Sequence, residues 1–186
     1  MTLIFRAMAT VLCLTSGIAL ADDLLPVNWV KAGSKPRHYD MGIATIGNSK
    51  VAYIMPAVNE PKPFGTLMQK ISASDYKGTR IRLSARIRTI DALSAAMWMR
   101  VDGRKKPTLQ FDNMHDRPIT GSTDWAEYSI VLDVPQNAES IFFGVLSTGK
   151  GEVQFDDFTL ETVNLSVPST NSQRPSTKPE NLDFEN

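Results

Sequence analysis

Cysteine is nearly absent from this chain. The single residue of this type, Cys13, lies in an N-terminal segment that we expect to be removed. The remaining chain would then contain no disulfide, no thiolate zinc site and no cysteine nucleophile. A domain without such cross-links must be stabilised by its hydrophobic core, and domains of roughly 100 to 150 residues are large enough for that.

The chain also lacks an excess of charge of either sign, clustered histidines and recognisable catalytic motifs. The 20 basic residues balance 20 acidic ones, which argues against nucleic acid or an anionic membrane as a partner. His38 and His115 are the only two histidines, so the sequence has no His-x-x-x-His site, and it has no Gly-x-Ser-x-Gly turn. We therefore predict that the protein is not an enzyme. A small glycan hydrolase, with Asp112 or Asp116 paired with Asp157 across a cleft, is the least favoured alternative.

The first residues, MTLIFRAMATVLCLTSGIALADD, have the layout of a secretory signal peptide. Arg6 is the only charge before Asp22, an apolar run follows it, and Ala-Leu-Ala forms a small-x-small cleavage site. The apolar run is shorter than the roughly 20 residues that a membrane helix needs. We predict a signal peptide over residues 1–21, export to the periplasm or the exterior, and no membrane span after cleavage.

The other terminus changes composition at residue 166. From there the sequence SVPSTNSQRPSTKPENLDFEN is rich in Ser, Thr, Pro and Asn and has little apolar surface to bury. We predict a disordered tail over residues 166–186. One folded domain would then span residues 22–165.

Apolar and polar side chains alternate through most of this domain. In TRIRLSARIRTI the apolar residues 81, 83, 85 and 87 face one way, and Arg80, Arg82, Arg86 and Arg88 face the other. The same alternation runs through LSAAMWMRV, AEYSIVLDV and SIFFGVLS, and turn-forming segments such as DGRKKP and STGKG separate the runs. The pattern predicts an all-β fold of antiparallel strands, either a sandwich or a barrel.

Three segments in order carry a family resemblance: GNSKVAYI, then FGTLMQKISASDYKGTRIRLSARIRT, then the closing GEVQFDDF. Together they resemble carbohydrate-binding-module-like jelly rolls of the galactose-binding-like type. The stretch from FDNM to DW is similar to a bacterial subgroup of these domains that accompanies regulators and hydrolases. The resemblance implies an antiparallel two-sheet β-sandwich that binds a ligand on a concave face or a rim of loops.

One candidate binding face contains Trp98, Arg100 and Gln110. Trp98 and Arg100 lie on the strand side opposite Met97 and Met99, so they point outward if the methionines face the core. A ring that stacks on a sugar, beside groups that bond its hydroxyls, is what a glycan site requires. The structural alternative, which we favour, is that Trp98 packs under a loop or in the core and Arg100 is solvated or ion-paired, since tryptophan is highly buried on average.

The segment DNMHDRPI, residues 112–119, is the second candidate and is expected to form a long loop. Asp112 and Asn113 could orient ligand hydroxyls, with His115 and Arg117 as hydrogen-bond donors. The structural alternative, which we favour, is that Asp112 or Asp116 pairs with Arg117 and that the Asp and Asn side chains bond their own backbone.

Two charged clusters remain. In the resembling modules the Asp156-Asp157 region often helps to hold a structural calcium, with Asp40 as a possible further ligand here, although an arginine pair or solvent exposure is favoured. No other cofactor is expected. The arginines at 80, 82, 86 and 88 could bind acidic polymers, but a solvated outer face is the favoured interpretation.

The sequence thus predicts an exported, non-catalytic module that binds a glycan or another envelope component. The alternative is a structural or protein-interaction domain of an envelope assembly.

Overall fold

The computed structural model describes residues 25–61, 63–105 and 108–171, together with the backbone of residues 19–20. The rest of the predicted signal peptide, and residues 172–186 of the predicted tail, lie outside the described residues. The described residues include two single-turn 3-10 helices, Pro36–His38 and Ser74–Tyr76. No helix in this part of the chain is long and apolar enough to cross a membrane. The strands are β1 (Ala19–Leu20), β2 (Trp29–Gly33), β3 (Tyr39–Ile46), β4 (Ser49–Pro56), β5 (Gly65–Ser72), β6 (Arg80–Gly103), β7 (Gln110–Asp112), β8 (Ile119–Asp133), β9 (Ala138–Thr148) and β10 (Glu152–Val163).

The strands pair antiparallel and form two layers. The first layer has the order β1-β3-β4-β10-β6-β8, and the second has the order β2-β5-β9-β6-β7. Strand β6 belongs to both, because residues 80–90 pair with β10 whereas residues 94–103 pair with β9. The fold is therefore one curled antiparallel sheet closed into a β-sandwich, which confirms the predicted fold class.

Strand β6 changes layers near Asp91. Asp91 has a φ of 50°, in the left-handed region that residues other than glycine rarely adopt. The pairing of β6 with β8 shifts register on both sides of this point, between Ile87 and Ala95. The sequence predicts two strands here, over TRIRLSARIRTI and LSAAMWMRV, but the structure joins them into one strand of 24 residues. Such register shifts bend a strand without breaking it.

The core lies between the layers. Ile81, Leu83 and Ile87 are buried in the first layer, and Met97 and Met99 are buried in the second, as the alternation predicts. Burying side chains of this size stabilises the fold by about 1.5–3 kcal/mol each. These residues form one cluster with Tyr39, Met41, Ile54, Leu67, Ile130, Leu132, Ile141, Phe143, Val145, Val153 and Phe155.

Residues 165–171, which we call the strap, lie along the outside of β8. The Thr170 amide donates to the Val131 carbonyl oxygen at 2.8 Å, and the Val131 amide donates to Thr170 Oγ1 at 2.9 Å. The packed part of the chain therefore extends beyond the predicted boundary at residue 165. Composition gave no sign of this, because the segment is held by hydrogen bonds that involve its backbone carbonyl and amide groups and the Thr170 hydroxyl, rather than by buried apolar side chains.

Arg80 anchors the strap. Its side chain is only 10% exposed, and it forms two hydrogen bonds with Asp133, at 2.7 and 3.0 Å. Its Nη1 also donates to the carbonyl oxygens of Leu165 at 2.9 Å and Val167 at 2.6 Å. The hydrogen bond to Asp133 raises the pKa of Arg80 despite its burial. One of the four predicted outer-face arginines is thus a structural residue.

Candidate functional site

A groove of about 400 Å³ lies on the outer face of the second layer. The register places side chains of three neighbouring strands in rows across this face, so that Met68 of β5, Gly144 of β9 and Trp98 of β6 lie side by side. Strand β7 and the start of the following loop form one side of the groove. The lining residues are Ala32, Gly33, Phe64, Thr66, Met68, Trp98, Arg100, Phe111, Asn113, Leu146 and Thr148.

Trp98 forms part of the floor. Its Nε1 donates a 2.9 Å hydrogen bond to Thr66 Oγ1, on the strand beyond β9. The indole therefore lies across β9, over the position of Gly144. A larger residue has no space there, because a Cβ at position 144 would lie 2.2 Å from the carbonyl oxygen of Leu67. Trp98 is on the predicted outward side, yet it is only 9% exposed.

Arg100 is the next outward residue of β6. Its Cζ lies 4.8 Å from the ring centroid of Phe142, and its Nη2 donates to Asp102 Oδ2 at 2.9 Å. Arg100 Nε and Asp102 Oδ1 are buried and have no hydrogen-bond partner among the described residues. Because 37% of the Arg100 side chain is exposed, part of this group faces the groove.

Asp112 fixes the loop that follows β7. Its side chain is fully buried and accepts hydrogen bonds from Arg117 Nη2 at 2.6 Å and from the Met114 amide at 2.8 Å. Arg117 also donates to Asp116 at 2.9 Å. Burial acts to lower the pKa of Arg117, but the hydrogen bonds to Asp112 and Asp116 outweigh it and raise that pKa. Both Asp112 oxygens are occupied, which is the arrangement that the structural interpretation of DNMHDRPI describes.

The other predicted binding residues separate into two groups. Asn113 lines the groove, whereas His115 is exposed and does not line it. Gln110 Oε1 accepts a hydrogen bond from the Asn171 side chain of the strap, and Asn171 Oδ1 accepts one from the Phe111 amide at 3.4 Å. The structure therefore brings Trp98, Arg100 and Asn113 together in the groove, and it places Gln110, Asp112 and Arg117 in contacts that support its rim.

The structure separates the carboxylates considered for calcium. Asp156 and Asp157 lie at a register shift of β10, where Asp157 is exposed with a φ of 55°. Asp40 pairs with Met55 at the other end of β4, and it accepts a hydrogen bond from Tyr53 at 3.2 Å. On β4, the position beside Asp156 and the position beside Asp40 are four residues apart, which corresponds to about 13 Å at 3.3 Å per residue. Within the described parts of the chain, no group of three His, Cys, Asp or Glu residues could hold a metal ion.

The remaining arginines lie on the outer face of the first layer. Arg82 pairs with Glu161 at 3.4 Å, and Arg86 lies 3.8 Å from Asp157. Arg88 Nε donates to Gln154 Oε1 at 2.6 Å. The guanidinium carbons of Arg86 and Arg88 lie 5.6 and 5.5 Å from the ring centroid of Trp125. This face is outward, as predicted.

Sequence reasoning missed the apolar walls of the groove, Phe64, Phe111 and Leu146. The signal for Leu146 was present, because SIFFGVLS carries apolar residues on both sides of the strand. A strand with two apolar faces needs a second cover, and here that face forms a wall of the groove. Sequence alone did not show that β9 lies beside the strand that carries Trp98.

Solved structures with a similar fold include three at low sequence identity. The enzymatically active domain of bacteriophage CBA120 tailspike protein 4 gives a TM-score of 0.55 at 11% identity, over 74% of this chain and 20% of that one. A CBM4 module gives 0.52 at 14% identity, over 73% and 86%. The CBM22-1 and GH10 modules of Clostridium thermocellum xylanase 10B, complexed with xylohexaose, give 0.52 at 11%, over 73% and 26%. At these identities the likeness establishes the jelly-roll fold alone.

One sequence relative is much nearer. The chain is 44% identical over 165 residues to the uncharacterized HTH-type transcriptional regulator YbfP of Bacillus subtilis. The match covers 84% of this chain and 56% of the regulator, so the chain spans little more than half of that protein's length. No protein-family model matches the chain.

Proposed function

We propose that this chain is a non-catalytic carbohydrate-binding domain that holds a glycan in the groove of the second layer. The observation that carries the proposal is the groove itself, a recess of about 400 Å³ with Trp98 in its floor and aromatic walls. Two structures with this fold, CBM4 and the CBM22-1 and GH10 modules of the xylanase complexed with xylohexaose, support a sugar as the class of ligand.

The groove offers the two kinds of contact that a sugar needs. Phe111 and the part of Trp98 that lines the groove provide apolar surface for the C–H face of a pyranose. Asn113, Thr148 and Arg100 supply polar groups beside them. With so few contacts, we expect dissociation constants near millimolar, equivalent to about −4 kcal/mol.

Hydrolysis finds no support in this geometry. A glycosidase needs two carboxyl groups across a cleft. The described residues that line the groove include no Asp or Glu. The nearby Asp112 is fully buried, with both oxygens bonded to Arg117. A binding role therefore fits these residues better than a catalytic one.

The test is affinity electrophoresis against a panel of soluble polysaccharides, followed by calorimetry on any that retards the protein. We expect Trp98→Ala to abolish retardation and Trp125→Ala, the matched change on the other layer, to leave it unchanged. Because Trp98→Ala also removes the hydrogen bond to Thr66, Phe111→Ala serves as a second groove variant. Unchanged retardation in both groove variants would remove the groove as the site. Copurifying proteins without any glycan retardation would favour the protein-interaction alternative.

The relation to a regulator suggests a second candidate, a ligand-sensing domain of the same sugar-binding type. This second candidate is based on the 44% identity to the regulator over 84% of this chain. A helix-turn-helix motif requires two helices, and the described residues form strands and two single-turn 3-10 helices only. The described part of this chain would then supply ligand recognition rather than DNA binding.

The location of the protein, outside or inside the cell, distinguishes the glycan-binding role from the regulator-like role. We propose export, with cleavage after Ala21, on the pattern of residues 1–21. This cleavage would remove β1, the two-residue strand that pairs with β3 at the edge of the first layer. Intact-mass measurement of the protein from its native cells tests this. A chain that begins at Asp22 supports an exported glycan-binding domain, and a chain that keeps residues 1–21 inside the cell supports the regulator-like role.

A further inference from the structure

The charge around the groove is one-sided. Among the described lining residues, Arg100 is the only ionised side chain. Lys70 adds a second positive charge in the same cross-strand row as Arg100, because both residues pair with Phe142 and Lys70 Nζ lies 5.2 Å from the Phe142 ring. Asp102 compensates one of these two charges, so a net positive charge remains at this end of the groove.

The Arg100 guanidinium has more N–H donors than the hydrogen bond to Asp102 uses. An arginine carries five N–H donors, and this one directs Nη2 to Asp102. Its Nε is buried without a partner, so the accessible edge is formed by the Nη groups. Asp102 and the ring of Phe142 fix the group from two sides. The side chain is thus held in place while part of its hydrogen-bonding capacity stays open to a ligand.

Such an edge suits one ligand chemistry better than others. A guanidinium bonds a carboxylate through two parallel, charge-assisted N–H···O contacts, whereas a sugar hydroxyl offers a single neutral oxygen that cannot match both N–H groups in parallel. A ligand that packs against the nearby apolar walls would displace water there, which would strengthen the attraction between opposite charges. The described lining contains no carboxylate, and the nearby Asp102 is compensated by its ion pair with Arg100, which leaves the charge of Lys70 as the net charge at this end.

We propose that the groove selects glycans that carry uronic acid residues, and that Arg100 is the residue that determines this preference. The inference rests on the proposed glycan-binding function and names its ligand class. Lys70 contributes attraction at the same end, and neutral parts of the chain would lie against Trp98 and Phe111.

Two matched pairs of ligands test it by calorimetry. One pair is oligogalacturonate and its full methyl ester, and the other is xylotetraose with and without one glucuronic acid branch. We expect the acidic member of at least one pair to bind about tenfold more tightly at low salt, with the advantage falling as salt screens the charge. Arg100→Gln should remove the advantage, with only a smaller loss of affinity for the neutral member, because glutamine keeps a hydrogen-bonding group at this position.

Arg82→Gln is the control, because Arg82 has nearly the same side-chain exposure, 35% against 37%, and is also paired with a carboxylate. It should keep the full preference. If Arg100→Gln fails to fold, Arg100→Lys, which keeps the charge and loses the planar fork, should retain only part of the preference.

The outcomes separate the two proposals. Equal binding of acidic and neutral members, or an acidic preference that survives in Arg100→Gln, overturns the charge selectivity and leaves glycan binding standing. An absence of binding by both pairs and by the whole polysaccharide panel overturns the glycan-binding function itself.

Discussion

The two outer faces of the sandwich each present a tryptophan near arginines, but they use these residues in different ways. On the first layer, Trp125 lies beside Arg86 and Arg88, within 6 Å of both guanidinium groups. On the second layer, Trp98 lies across the neighbouring strand, and Arg100 stacks on a phenylalanine instead. The first face is a row of paired charges, and the second contains an apolar recess.

The residues on the neighbouring strand explain much of this difference. Arg86 and Arg88 lie opposite Asp156 and Gln154 of β10, whose polar side chains partner or approach them. Trp98 lies opposite Gly144 of β9, which has no side chain in the path of the indole. Two strand segments with the same alternation therefore give a solvated face in one layer and a candidate site in the other.

The largest expected effect contrasts two arginines of the first face. Arg80→Ala leaves Asp133 and two strap carbonyls without their donor, and it removes packing, so we expect about 3 kcal/mol of lost stability. Arg82→Ala removes an exposed pair with Glu161 and should change stability by less than about 0.5 kcal/mol. Urea unfolding followed by circular dichroism measures both. Equal losses would mean that the row behaves uniformly and that burial of Arg80 is unimportant.

A smaller difference is expected between two aspartates that each contact an arginine, one on each layer. Asp112→Asn weakens a buried pair with Arg117 beside the groove and should cost about 1–2 kcal/mol. Asp157→Asn keeps a residue that tolerates a positive φ and affects only an exposed pair, so less than about 0.5 kcal/mol is expected. Hydrogen exchange of residues 112–119 should accelerate only in the first variant. Faster exchange in both, or in neither, would argue against Asp112 as the anchor of the rim.

Truncation tests the strap, which joins the edges of the two layers. Ending the chain after Asn164 removes the bonds to Val131 and Arg80 and should cost about 1 kcal/mol, because much of the gain from these bonds is offset by the entropy of ordering the segment. Ending it after Asn171 removes none of these bonds and should leave the melting temperature unchanged. If the shorter chain is as stable as the longer one, the predicted domain boundary at residue 165 is adequate.

The smallest expected effect depends on pH at the rim. The hydrogen bond from Arg117, and then one from its own backbone, lower the pKa of Asp116. A lowered folded-state pKa contributes stability above the unfolded value of about 3.9 and loses it as the pH falls through the folded value. The small difference in melting temperature between the wild type and Asp116→Asn should therefore shrink as the pH falls below about 4 and disappear below the folded-state pKa of Asp116. A difference that persists in acid would come from something other than this ionisation.

Much of the fold was predictable from the chain, because strand side chains alternate between two faces. Ile81, Leu83 and Ile87 were assigned to the core and are buried there. The union of two predicted strands into β6 was not predictable, since the bend at Asp91 depends on the register with β8. The strap was not predictable either, because its polar composition resembles that of a free tail and its bonds involve the backbone.

The candidate site was predictable only in part. Trp98 and Arg100 were selected because they oppose buried methionines on the same strand. Whether a tryptophan there is exposed, covered or laid across a neighbour depends on residues far away in sequence, such as Thr66 and Gly144. Asp112 was equally ambiguous, since a carboxylate that binds a ligand and one that fixes a loop have the same local sequence.

The sequence by itself determined which side of each long strand is apolar, and hence that this chain forms layered antiparallel strands around one core. Only the tertiary structure decided which strands are neighbours. That choice placed a glycine beside one tryptophan and polar side chains beside the arginines of the other face. The reason is physical: alternation is a property of a single strand, whereas a recess requires side chains from several strands to leave space together.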